Sequence, residues 1–345
     1  MPTTMSISGS QPLHKYSVIL NNYRRPSDRF MAGGYALEAD TRTTIELIEL
    51  AGRQSLVQGV ELIAVENPGD IGVGTFNQAD IKAVLADTGL ALTGVMPNLW
   101  GNSWQQYGTL GAADPATRRR SIDLCKKAID LAAACGSEYV GLWPGQDGSD
   151  YIFEADYQCM WEWWVEGVRE LADYNPAIRI GLEPKPNEPR AYPIINSAAK
   201  ALVMINDIGR QNVGVCLDVG HSLVSAENVA EAIAMLQGRD RRLFHLHMND
   251  NYNTADLDMI FGSVHTIEFI EAFYWLRRTG YSHFMSVDLF AYRTEATRSV
   301  EQSVRWMKAM DAFIDRCGMQ RFDALIAEAD PTAATAFLRE QLLGA

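Results

Sequence analysis

Residues 178–221 read IRIGLEPKPNEPRAYPIINSAAKALVMINDIGRQNVGVCLDVGH and contain one strand–helix–strand unit. The apolar runs Ile178–Glu183 and Val213–Asp218 flank a stretch with helical periodicity, Leu202–Ile208. Two strands that are joined through a helix pair in parallel, because the helix carries the chain back along the sheet. This unit therefore predicts one part of a parallel sheet that is covered by helices.

The same alternation of apolar runs and helical stretches continues outward to both ends of the chain. Eight runs are predicted as strands: Tyr16–Asn21, Gly59–Val65, Leu90–Met96, Tyr139–Trp143, Ile178–Glu183, Val213–Asp218, Leu243–Met248 and Phe284–Leu289. Eight strand–helix units favour an α/β fold of the closed (β/α)8 TIM-barrel type over an open sheet. We expect residues 1–320 to form the barrel and residues 321–345 to form a C-terminal extension that could pack on a neighbouring subunit.

Local signals predict where some of the helices begin and end. Thr43, followed by Glu46 three residues later, is a capping-box pattern that opens a helix. Asp114 suits an N-cap and Pro115 suits the first helical turn, where its missing N–H is not needed. Gly136 is expected to end that helix.

Composition and charge limit the classes of function. The 345 residues carry a formal net charge of −13, so nucleic acid and anionic membranes are poor candidate partners. Small neutral substrates, and cations bound by clustered carboxylates, are more compatible with this net negative charge. The five cysteines are odd in number and form no C-x-x-C pair, so neither a disulfide framework nor a zinc cluster is expected. The absence of a signal-peptide pattern or a long apolar segment favours a cytoplasmic protein.

Charged residues close four consecutive predicted strands: Glu183, Asp218, His247 and Asp288. Chemistry in such barrels lies where the strands end, so four inward-pointing side chains would converge at the barrel mouth. Three carboxylates and one imidazole suit a divalent ion such as Mn²⁺, Mg²⁺ or Co²⁺. Taken singly, an aspartate after a strand is more often a helix N-cap, and a strand histidine is more often a core residue. Their coincidence at four strand ends favours a metal site.

A second set of polar residues lies close to the first along the sequence. Asp256 and Asp258 follow the seventh predicted strand and, with His221, could hold a second ion, although Asp258 alone could also cap a turn. Two neighbouring ions suit the orientation of vicinal oxygens. Lys185 lies two residues beyond Glu183, on the same side of an extended segment, and can donate to a developing oxyanion. His245 is in phase with His247 and is interpreted as its support.

The run EPKPNEPR at 183–190 nearly matches the strand-five signature of the xylose isomerase family and its rhamnose isomerase relatives, which this chain resembles. Further matches follow in order: GVCLDVGH at 214–221, LFHLHMND at 243–250, DLDMIFG at 256–262 and VDLFAYRTE at 287–295. The resemblance covers roughly residues 178–310. It implies a divalent-metal-dependent sugar isomerase that interconverts an aldose and a ketose, assembled as a homodimer or homotetramer.

The resemblance also assigns roles to individual residues. The implied structural metal site comprises Glu183, Asp218, His247 and Asp288. The implied catalytic metal site comprises His221, Asp256 and Asp258, with Asp218 bridging. Lys185 resembles the lysine that contacts the carbonyl oxygen of the monosaccharide, while Trp100 and Trp143 resemble aromatic walls around it. The implied reaction moves hydride between C1 and C2 of an open-chain sugar held by two metal ions.

Two departures from the family pattern stand out. Xylose isomerases usually carry glutamate where this chain has Asp218 and aspartate where it has His247, so this ligand set resembles that of rhamnose isomerases. The second predicted strand has no histidine where the family places one for ring opening. Glu66 is the candidate for that role, and a solvated loop carboxylate is the alternative interpretation.

Three alternative functions remain open at the level of sequence. A ketose 3-epimerase on the same barrel would use one metal and two glutamates, and Asp288 at the final position, with Asp256, Asp258 and Lys185, favours the isomerase. A metal-dependent endonuclease acting on damaged DNA also uses this barrel, but the charge of −13 argues against it. A non-catalytic sugar-binding protein would explain the missing histidine and leave seven potential ligands unexplained.

Overall fold

Eight parallel strands close into a barrel, as predicted. The computed structural model describes residues 14–24, 31, 40–64, 78–238 and 240–344. The barrel strands are Lys15–Ile19, Gly59–Ala64, Ala91–Pro97, Tyr139–Leu142, Arg179–Leu182, Val213–Asp218, Leu243–Met248 and Phe284–Val287. Each strand pairs with its neighbours in chain order, and the last pairs with the first. The (β/α)8 TIM-barrel prediction is therefore confirmed.

Helices surround the barrel within the described residues. They are Thr44–Gly52, Gln78–Thr88, Pro115–Ala134, Tyr157–Tyr174, Ala198–Ile208, Val219–Val224, Val229–Leu236, Thr266–Thr279, Ala296–Cys317, Met319–Glu328 and Pro331–Leu343. Short 3-10 turns occupy Leu20–Tyr23 and Ser103–Gln105, and Gly148–Ser149 pairs antiparallel with Tyr192–Pro193. None of the described helices is long and apolar enough to span a bilayer.

The predicted helix signals act as expected. Thr43 and Glu46 form a reciprocal capping box, in which the Thr43 N–H donates to Glu46 Oε2 over 2.7 Å. Asp114 caps the helix that begins at Pro115 by accepting from two backbone N–H groups. That helix ends at Ala134, and Gly136 beyond it adopts a positive φ of 81°. Only glycine adopts such a backbone conformation without strain.

Among the described residues, four strands, the first, fourth, fifth and eighth, end before the predicted boundaries, and in the last two this difference determines where the polar side chains lie. The fifth strand ends at Leu182 and the eighth at Val287, so Glu183 and Asp288 lie one residue beyond the regular pairing. Asp218 and His247, in contrast, are still paired with each other across adjacent strands. All four therefore lie at the same end of the barrel, where the parallel strands finish.

Deeper in the barrel, Tyr139 fills the space left by glycines on neighbouring strands. A Cβ at Gly181 would lie 2.5 Å from the Tyr139 hydroxyl oxygen, and one at Gly94 would lie 2.8 Å from its ring. The ring of Tyr139 also stacks on His245, with ring centres 4.6 Å apart. The small residues and the large aromatic one are thus complementary, as close packing of a barrel interior requires.

Gly181→Ala is expected to lower the free energy of unfolding by about 1–3 kcal/mol, because the added methyl group overlaps Tyr139. Thermal or urea unfolding checks this value. In a Tyr139→Phe background, which lacks the overlapping hydroxyl, the same substitution is expected to cost less. An unchanged unfolding midpoint in Gly181→Ala would contradict this account of the barrel interior.

The C-terminal extension consists of two helices. In Met319–Glu328, Phe322 and Leu325 are buried against the barrel helices, whereas Pro331–Leu343 has no buried side chain. The expected role of residues 321–345 in oligomerisation stays a prediction. Val65 and Glu66, the latter the candidate for ring opening, lie outside the described residues.

Candidate metal centre

Glu183, Asp218, His247 and Asp288 meet at the mouth of the barrel. One ligand atom from each lies within 4.8 Å of the ligand atoms of the other three. His247 Nδ1 is 3.3 Å from Glu183 Oε1 and 3.5 Å from Asp288 Oδ2. The structure thus brings together all four side chains that the strand-end pattern singled out.

Asp218 is held in place by two neighbours. Its Oδ1 accepts from the His221 backbone N–H over 2.9 Å and so caps the helix Val219–Val224. Asn249 donates from Nδ2 to both carboxylate oxygens, at 3.1 and 3.0 Å. Asp218 is therefore an N-cap, and its contacts fix the carboxylate beside the other three candidate ligands.

The charge balance of this group fits a cation. Burial raises the pKa of Asp288 to about 7, and the charges of Asp218 and Glu183 add to the effect. Burial likewise raises the pKa of Asp218. Among the described residues, nothing donates a hydrogen bond to the buried Glu183 Oε2. Buried carboxylates that repel one another, one of them with an oxygen that lacks a donor, are compensated when a divalent ion binds between them.

A second polar cluster adjoins the first through His221. Its Nδ1 lies 3.5 Å from Glu183 Oε1, and its Nε2 lies 3.1 Å from Asp256 Oδ2. Lys185 Nζ forms a 2.7 Å ion pair with the same Asp256 oxygen. Although burial alone lowers the pKa of His221, the charges of Asp218 and Asp256 raise it to about 9. Burial alone would raise the pKa of Asp256, but His221 and Lys185 lower it below its ordinary range.

Asp258 is placed less directly. It is half-buried with a positive φ of 46°, and its carbonyl accepts from the Phe290 N–H over 3.0 Å. Burial, followed by the charges of Asp256 and Asp288, raises its pKa well above the ordinary value. Within the described part of the chain, no group of three ligand atoms gathered within 4.8 Å includes Asp258. The charges of Asp256 and Asp288 thus act on Asp258. Its carboxylate is not part of the close group of ligand atoms from Glu183, Asp218, His247 and Asp288.

Trp100 and Trp143 form an aromatic surface beside these polar residues. Their rings lie 4.9 Å apart, both are half-buried, and both pack on Ile63 and Met96. Lys185 Nζ is 5.2 Å from the centre of the Trp143 ring. The predicted aromatic wall therefore stands next to the lysine that is expected to contact substrate.

The sequence interpretation missed one polar residue of this region, Glu61 on the second strand. Its side chain is 0% exposed, and its Oε2 lies 3.0 Å from His245 Nε2 and 3.3 Å from His247 Nε2. The signal was present in the sequence, because a glutamate interrupts the otherwise apolar run GVELIA. His245 thus contacts the group through Glu61, and its supporting role stays a prediction.

Comparison with known proteins identifies the family. A profile described as the xylose isomerase-like TIM barrel matches residues 53–310. The chain belongs to this family. The match extends upstream of the region in which the sequence motifs were found, and it adds the second, third and fourth barrel strands to that region.

The relatives of this family member carry different activities in their names. A xylose isomerase from Thermus thermophilus is 29% identical over 230 residues, which cover 64% of this chain and 58% of the relative. The matched region thus spans less than two thirds of that relative's length. A structure of L-ribulose 3-epimerase has a TM-score of 0.68 at 16% identity, covering 91% of this chain and 98% of that chain. D-allulose 3-epimerase from Methylomonas sp., in complex with D-allulose, has a TM-score of 0.65 at 16% identity, covering 86% and 97%. Both structures show the shared fold.

Proposed function

We propose that this protein is a divalent-metal-dependent aldose–ketose isomerase of the rhamnose and xylose isomerase type. The observation that carries the proposal is the presence of two adjoining polar clusters. His221 links them, since it lies beside Glu183 on one side and Asp256 on the other. A single-ion enzyme needs only the first cluster, whereas moving hydrogen between adjacent carbons benefits from ligands for two ions.

Each cluster has a chemical role in this proposal. Glu183, Asp218, His247 and Asp288 would hold one divalent ion and His221, Asp256 and Asp258, with Asp218 shared, a second. Bound there, Mn²⁺, Mg²⁺ or Co²⁺ would supply Lewis-acid polarisation of vicinal sugar oxygens.

The remaining residues bind and orient the open-chain monosaccharide. The Lys185 ammonium donates to the oxygen on which negative charge develops. Burial alone would lower the pKa of Lys185, but the charge of Asp256 raises that pKa, so the lysine stays protonated. Trp100 and Trp143 cover the apolar face of the sugar and exclude water from the reacting carbons. Hydride then passes between C1 and C2 within the substrate, while a proton moves between the oxygens on these two carbons.

A ketose 3-epimerase is the second candidate, because the structures with the same fold include enzymes named for that activity. In that reaction Glu183 and Asp288 would exchange a carbon-bound proton at opposite faces of C3. Both belong to the four-ligand group, the name used here for the candidate ligands Glu183, Asp218, His247 and Asp288. The aspartate at 288 has a shorter reach than the glutamate expected there. Lys185 and Asp256 would then have no role in the reaction.

Incubation of a panel of aldoses and ketoses with the Mn²⁺-loaded protein in D₂O distinguishes the two reactions. An isomerase is expected to move the carbonyl group between C1 and C2. Little deuterium should appear in the product, because hydrogen moves within the substrate. An epimerase is expected to invert C3 and to incorporate deuterium there, since the carboxylates exchange with solvent. Removal of metal with a chelator should stop either reaction. Absence of any conversion across the panel would contradict both proposals.

A further inference from the structure

Glu61 is a buried carboxylate for which the proposed reaction has no direct use. It lies in the second strand, Gly59–Ala64, and is fully shielded from solvent, so it cannot act on a sugar at the barrel mouth. A buried carboxylate is costly unless it is compensated by partners. Among the residues that the structure describes, two imidazoles reach it, those of His245 and His247, and each can donate to Oε2.

His247 uses its two ring nitrogens in different directions. Nδ1 points toward Glu183 and Asp288, and Nε2 points toward Glu61. A neutral imidazole carries one N–H, so a carboxylate that accepts from Nε2 leaves the lone pair on Nδ1. Nδ1 is the atom that faces the other three candidate ligands.

We propose that Glu61 is a positioning residue that holds the ring orientation and tautomer of His247 and thereby sets the metal affinity of the four-ligand group. The proposal rests on the proposed metal site and deepens it. A carboxylate that accepts the second N–H of a metal-ligating histidine raises the basicity of the ligand and limits its rotation.

The surroundings hold Glu61 in this role. His245, its other partner, is stacked on Tyr139 and contacts Ser286 Oγ over 2.9 Å, and Ser286 in turn contacts Ser17 over 2.6 Å. Gly94 on the adjacent strand leaves room for the carboxylate, since a Cβ there would lie 3.1 Å from Glu61 Oε1.

The second strand is also where this chain departs from the family pattern. The sequence has no histidine on this strand for ring opening, and the one acidic residue of the described strand lies beneath the ligands rather than beside the substrate. In this chain, the second strand therefore contributes Glu61, which contacts the candidate ligand His247 from the buried interior of the barrel.

The test measures Mn²⁺ binding by calorimetry and electron paramagnetic resonance in the wild type, Glu61→Gln and Glu61→Leu. We expect Glu61→Leu to weaken binding at the four-ligand group by about 10- to 100-fold. Glu61→Gln keeps one acceptor oxygen and should lose less. In Zn²⁺-loaded wild type, the Nε2–H proton of His247 should resist exchange in NMR spectra, and this protection should disappear in Glu61→Leu.

Glu227→Gln is the control for the change of a glutamate to glutamine, because Glu227 is half-buried and accepts from the Ala198 N–H, away from the candidate ligands. It should bind Mn²⁺ as the wild type does. If the wild type binds Mn²⁺ and both Glu61 variants bind within twofold of it, the inference is wrong and the proposed metal site stands. Loss of one bound ion from the stoichiometry without a change in affinity would make Glu61 a ligand and overturn the positioning role. If the wild type binds no ion, the metal site itself is wrong, and the inference with it.

Discussion

Asp218→Asn is expected to abolish turnover, with a loss of about 10³-fold or more in kcat. Asp218 belongs to the four-ligand group. It also adjoins the second cluster, because its Oδ1 accepts from the backbone N–H of His221. Loss of its charge should weaken both proposed ions, each of which supplies several kcal/mol to the transition state; about 1.4 kcal/mol corresponds to tenfold in rate. Steady-state kinetics and metal analysis of the purified variant measure both effects.

The same substitution should leave the metal-free fold intact or make it more stable. Burial raises the pKa of Asp218, which shows that its ionised form is disfavoured in the folded chain. The asparagine oxygen can still cap the helix Val219–Val224. Asp156→Asn is a suitable control, because Asp156 also caps a helix by accepting from two backbone N–H groups but lies outside the ligand groups. Wild-type turnover in Asp218→Asn would refute the role of this residue as a shared ligand.

Asp256→Asn is expected to keep the fold and the first ion but to lower kcat by about 10²- to 10⁴-fold, the equivalent of several kcal/mol. Asp256 Oδ2 accepts from Lys185 and lies beside His221, and an asparagine oxygen at that position can replace only part of these interactions. The loss of charge should weaken the second ion and leave the Lys185 ammonium less well positioned. Turnover of the sugar identified in the panel, together with the number of bound Mn²⁺ ions, checks this expectation.

Asp240→Asn controls for the loss of one negative charge, because Asp240 is exposed and precedes the seventh strand at the other end of the barrel. It should turn over substrate at the wild-type rate. Full activity in Asp256→Asn with only one ion bound would count against a two-metal isomerase. It would favour the single-ion epimerase, which has no use for Asp256.

Local sequence determined most of the fold of this protein. Strand positions follow from apolar runs, and helix starts follow from caps such as Thr43 with Glu46 and Asp114 with Pro115, because these interactions connect residues only a few positions apart. Eight repeated units then leave few topologies other than a closed barrel. Even the meeting of Glu183, Asp218, His247 and Asp288 was predictable, since inward-pointing residues at the ends of consecutive parallel strands lie at the same end of the barrel.

Only the tertiary structure decided which side chains face one another across the barrel. Glu61 comes from the second strand and His247 from the seventh, and nothing in either run indicates that they touch. Likewise, the pairing of Lys185 with Asp256 depends on how two loops approach each other. The physical reason is that the periodicity of a strand determines which residues point inward. Barrel closure and strand stagger determine how far along the barrel axis those residues lie and which side chains they contact. Asp218 shows both levels, because its N-cap role is readable locally and its place among the ligands exists only in the closed barrel.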